Sequence, residues 1–162
     1  MLVEAKKIIR GTILPDGRVV KGRARSEGIV KFLLAGGGHA AYDENELVEI
    51  GHVAPLWDGV TIERQPRYFW RVFGGCNFGR VGPEETGKPV FCTDSEDAIL
   101  RILEWDENMA RSYDVGFPRL AIIEASEYRL PAYEELSSYD AETDRDQYVA
   151  LIWRVVEWVD VR

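Results

Sequence analysis

Two cysteines and two histidines are the whole supply of thiolate and imidazole ligands in this chain of 162 residues. Cys76 and Cys92 have the spacing of neither a redox pair nor a zinc knuckle, which predicts reduced, buried thiols. With His39 and His52 as the only histidines, a His-rich metal site is excluded and no metal is expected. No apolar run approaches the roughly 20 residues that cross a bilayer. The opening "MLVEAKKIIRG" also lacks the apolar stretch of a secretory signal. A cytoplasmic protein without membrane contact is therefore expected. The glycine-rich "AGGGHAA" has no following Lys-Ser or Lys-Thr and no GxGxxG spacing, so it predicts a hairpin tip and not a phosphate loop.

What the chain does have is the composition of a folded protein, 46% hydrophobic and 30% charged. Its net charge of −8 is distributed unevenly. Residues 1–31 carry eight Lys and Arg against three acids, whereas residues 84–162 carry nineteen Asp and Glu against eight Arg and Lys. An acidic body of this kind repels nucleic acid and attracts basic surfaces, or simply keeps the protein soluble.

The first fifty residues read as five short strands broken by turn residues. "KKIIRGTIL", "RVVKGRA", "IVKFLL" and "HAAY" are separated by "PDG", "SEG" and "AGGG", and "ENELVEI" closes the run. That closing turn and strand resemble the end of SH3-like barrels. The fold class expected is therefore α+β. A small SH3-like β-barrel module at residues 1–53 is followed by an α+β region at residues 54–162 with a mostly antiparallel sheet and one main helix. The boundary at "GHVAPLWDG" is soft, because the two regions could share one core.

In the second region Tyr68 to Phe73 predicts a strand with Tyr68, Trp70 and Val72 on one side and Phe69, Arg71 and Phe73 on the other. A helix is expected from about Asp94 to Arg111, started by a capping box of Thr93 and Glu96. "RLAIIEAS" and "YVALIWRVVEWVDVR" predict strands. Strict alternation along the last of these puts Glu157 on an apolar side, so this carboxylate is paired, used in chemistry, or turned to solvent by a bulge. Pairing it with Arg71 inside the second region would satisfy both charges.

Two function classes follow. "YEELSSYDAETDRDQ" carries six acids, two tyrosines and one arginine over fifteen residues. This is the composition of a solvated loop, and also of a surface that meets a basic groove. In general look it is similar to phage-encoded inhibitors of DNA-handling machinery, including some anti-CRISPR proteins. That resemblance implies a non-catalytic regulator that engages a basic, nucleic-acid-handling protein. Its binding surface would be Glu134, Glu135, Tyr139, Asp140, Glu142 and Asp144, with no cofactor and no direct nucleic-acid contact.

The alternative is an enzyme. An arginine on a first strand, a Ser/Thr segment at a strand-to-helix junction and a late glutamate resemble the ADP-ribosyltransferase fold over residues 68–162. The resemblance implies NAD as cofactor, held by Arg71 with Thr93 or Ser95, and Glu157 as the group that orients the attacking nucleophile. Here the central segment is "CTDS", not Ser-Thr-Ser, and Val155 stands two residues before the glutamate. Oligomeric state has no signature in the sequence.

Overall fold

A computed structural model of the chain describes residues 1–51, 61–74, 81–113, 117–136 and 147–160. The fold is α+β, with nine strands and one α-helix among the described residues, and every strand pairing is antiparallel. The chain divides into two compact units. The first comprises Met1–Thr61 together with Pro131–Asp146, and the second Ile62–Leu130 together with Gln147–Arg162. Nothing in the sequence had assigned residues 131–146 to the first unit.

In the first unit β1 (Leu2–Glu4) pairs with β5 (Leu47–Glu49), while β2 (Val20–Ser26), β3 (Ile29–Leu34) and β4 (His39–Asp43) form a three-stranded meander. These are two small sheets, and the described strands form no closed ring in this unit. The β2–β3 turn follows from its residues. Glu27 and Gly28 both have positive φ, 41° and 82°, as a two-residue turn matched to strand twist requires. "AGGG" is the β3–β4 hairpin tip, closed by Leu34 N donating to Gly38 O at 3.1 Å. The expected first strand, "KKIIRGTIL", is not one. Ala5–Lys7 form a 3-10 turn, closed by Ile8 N donating to Ala5 O at 3.1 Å, which breaks the extended run, and Ile13 makes only an isolated bridge to Val19. The core is Ala5, Ile8, Leu14, Val20, Val30, Phe32, Leu34, Val48 and their neighbours.

The second unit closes four strands into a barrel in the order β6 (Arg67–Phe73), β7 (Val90–Thr93), β9 (Gln147–Val159), β8 (Arg119–Arg129). Phe69, Phe73, Cys92, Ala121, Ile123, Ala150 and Trp153 fill its interior. The alternate residues Val72 and Trp70 point outward, where Leu120 joins them against Ile99, Ile102 and Leu103 of α1 (Glu96–Tyr113). That is the two-sidedness expected of Tyr68 to Phe73.

The helix begins two residues later than expected, and its cap is different. Ser95 Oγ accepts Ala98 N at 3.2 Å, so Ser95 is the N-cap; Thr93 Oγ1 instead accepts Ser95 N at 3.0 Å. With Ala98 at the third helical position there is no capping box. The acids Glu96 and Asp97 lie in the first turn, where the helix dipole favours them.

Candidate functional site

Glu157 is exposed, which overturns its expected burial against Arg71. The reason is a bulge. Ile122 lies opposite Glu157 but Ile123 lies opposite Val155, so Val156 is an extra residue in β9. Before it, Trp153 and Val155 face the interior. After it, Trp158 lies opposite Ala121 with its ring 5.7 Å from that of Phe73, still partly open to solvent, and Glu157 turns outward.

Arg71 donates elsewhere. β6 and β7 share a single paired position, Trp70 opposite Thr93, so the ladder lapses beyond it. There Arg71 Nη1 donates to Phe91 O at 2.7 Å, and its guanidinium lies 5.1 Å from the centre of the Phe73 ring. A side chain thus satisfies a strand carbonyl across the seam. Trp153 of β9 donates from Nε1 to Lys88 O, two residues before β7, at 2.8 Å.

The residues of the transferase reading do not assemble. Around the closed barrel Thr93 lies opposite Trp70, Trp70 opposite Ile122 and Ile122 opposite Glu157, so Thr93 and Glu157 stand three strand spacings, about 15 Å, apart. Thr93 and Arg71 project from opposite sides of the barrel wall, since Cys92 shares the interior with Phe69 and Phe73. Ser95 is committed to the helix cap. Cys92 is buried within the barrel, and that burial pushes its thiol far up, so it is no nucleophile at neutral pH. Cys76 and His52 lie outside the described residues.

A cluster that the sequence reading passed over lies at the end of the barrel where β6 and β9 begin. Arg67 forms an ion pair with Asp94 and donates from Nη1 to the Tyr148 hydroxyl at 3.3 Å. Its guanidinium lies 5.0, 5.2 and 6.0 Å from the rings of Tyr148, Phe69 and Tyr128. The three rings touch one another, so Arg67 caps a packed aromatic floor. The signal was present: Arg67, Phe69, Arg71 and Phe73 alternate, and both arginines fall on the phenylalanine side.

Of the acidic surface, the structure describes Glu134 and Glu135; Tyr139, Asp140, Glu142 and Asp144 lie outside the described residues. Tyr133–Glu135 form a 3-10 turn in the first unit. Glu135 Oε1 accepts Ala132 N at 2.9 Å and is thereby tied to its own turn. Glu134 is exposed and makes no ion pair among the described residues.

Two arginines of β2 hold this turn. Arg23, only 7% exposed, donates to Lys6 O at 3.0 Å, Ile8 O at 2.8 Å and Pro131 O at 2.9 Å. Arg25 Nε donates to Leu136 O at 3.2 Å, and its guanidinium lies 5.9 Å from the centre of the Tyr133 ring. Burial pushes the Tyr133 phenol up to about 12, and its hydrogen bond to Glu44 acts in the same direction. The phenol is therefore a fixed donor.

Arg23 and Arg25 spend these hydrogen bonds on carbonyls, and the Glu134 carboxylate is left facing solvent. No helix among the described residues is long and apolar enough to cross a membrane. No family model matches the chain, and neither the curated proteins nor the solved structures compared with it give a match.

Proposed function

We propose that the protein is a non-catalytic, cytoplasmic regulator or inhibitor that binds a basic, nucleic-acid-handling protein through the acidic stretch Glu134, Glu135, Tyr139, Asp140, Glu142 and Asp144. In this reading the first unit is an SH3-like module that carries the stretch. The pairing of its first strand with its last, beside a three-stranded meander, supports that kinship.

One observation carries the proposal. The turn at the start of the acidic stretch is anchored through main-chain carbonyls and a tyrosine ring, and Glu134 remains exposed. Arg23 and Arg25 both donate to the backbone of this turn, on either side of Glu134. A negative surface held in this way attracts a cationic partner and repels polyanions. The connection also exceeds what its strands need, because antiparallel neighbours such as β8 and β9 can be joined by two residues.

The test is charge reversal. Glu134, Glu135, Asp140 and Glu142 are changed together to lysine, and wild type and variant are used to capture partners across a salt series. A basic protein held by wild type at low salt should be lost from the variant, and the salt dependence should flatten. Equal retention by both would overturn the reading.

A further inference from the structure

Residues 131–136 meet the first unit as a peptide meets a receptor. Ala132 (φ −70°, ψ 161°) and Leu136 (φ −73°, ψ 146°) have polyproline II backbone, and one 3-10 turn lies between them. Pro131 and Leu136 are buried, and Tyr133 packs on the unit's core. Arg23 and Arg25 take the carbonyls at the two ends of the segment, Pro131 O and Leu136 O. On the receptor side Arg23 is also held by Lys6 O and Ile8 O, two acceptors that do not belong to the segment. Main-chain bonds with alternate side-chain anchors are the general form of extended-peptide recognition.

We infer that the first unit is a peptide-recognition module whose groove is filled in cis by residues 131–136, and that it binds in trans a segment with the same Pro-x-Tyr-x-x-Leu spacing. This goes beyond the acidic-surface reading and is independent of it, because no anchoring bond uses the Glu134 carboxylate. A tethered segment acts at an effective concentration in the millimolar range, so a free peptide at micromolar concentration is excluded from the intact protein. Weakening the cis segment removes that competition.

The experiment uses the full chain carrying Pro131→Gly, Tyr133→Ser and Leu136→Ser, with a fluorescein-labelled peptide of residues 129–136, "RLPAYEEL", as probe in an anisotropy titration. The triple variant should bind the peptide at least about tenfold more tightly than wild type does. Adding Arg25→Ala to the variant should remove that binding, and a scrambled peptide should not bind. Equal affinity for variant and wild type, or no binding to a variant that keeps its near-ultraviolet circular dichroism, overturns the inference. Should the variant fail to fold, hydrogen exchange of wild type decides. Amides of residues 132–136 that exchange at least about tenfold faster than those of β2 and β3 report local undocking. Exchange only with global unfolding makes the segment an ordinary part of the core and overturns the inference.

Discussion

Each unit houses an arginine among its inward-facing groups, and the two do so differently. In the first, Arg23 is almost wholly buried and its guanidinium gathers three backbone carbonyls, one of them from residue 131. In the second, Arg71 is half-buried and donates to the carbonyl of Phe91 across a lapse in the barrel ladder. Arginine's planar fork suits both uses, since each N–H can serve an acceptor whose ordinary partner is missing. The first unit uses its arginine to recruit a distant piece of chain; the second uses its own to close a ring of strands.

The comparison is most sharply tested by removing each cation. Arg23→Met should destabilise by on the order of 3 kcal/mol in urea denaturation, because several buried carbonyls lose a charged donor at once. Arg23→Lys should recover less than half of that, since a point charge cannot reproduce the fork. Arg71→Met should cost less, on the order of 1–2 kcal/mol, because Arg71 is half-buried and its bond to Phe91 O is exposed. Equal costs for Arg23→Met and Arg71→Met would erase the distinction between the units.

Smaller effects sharpen it further. Ser95→Ala should cost about 1 kcal/mol as an N-cap deletion, and Glu96→Ala less, because no capping box exists. Tyr133 titrates at about 12 in the folded chain against an ordinary 10.0. Its protonated form is thus favoured by folding, so its contribution is complete below pH 10 and lost as pH rises toward 12. Wild type should lose stability across that window by more than Tyr133→Phe does, as read by denaturation at pH 9 and pH 11.5. Smallest of all, Glu157→Gln should change stability by less than about 0.5 kcal/mol. Its double-mutant coupling to Arg71 should fall within about 0.3 kcal/mol of zero.

Local signals in the sequence carried far. The alternation of Phe69, Arg71 and Phe73 against Trp70 and Val72 showed both faces of β6, and the helix expected from about Asp94 to Arg111 is found at Glu96–Tyr113. Turn residues located the breaks between β2, β3 and β4. What stayed hidden was set by long-range pairing. β1 is only three residues long and exists because Leu2 to Glu4 find β5. The bulge at Val156 depends on the register of β9 against β8, and one inserted residue was enough to turn Glu157 outward. The anchoring of residues 131–136 was equally illegible. Arg23 and Pro131 are 108 positions apart, and neither residue type announces a carbonyl clamp.

That separation has a consequence for how the protein is made. A chain emerging from the ribosome presents β1 to β5 long before Pro131 exists, so Arg23 must wait without the last of its acceptors while more than a hundred residues follow. The two arms of β8 and β9 then pair around a connection that has to reach back to the amino-terminal unit. Such late closure carries a loop entropy that local contacts cannot offset in advance, which slows the final step of folding relative to the early hairpins. A chain truncated before residue 131 would leave Arg23 without its Pro131 acceptor.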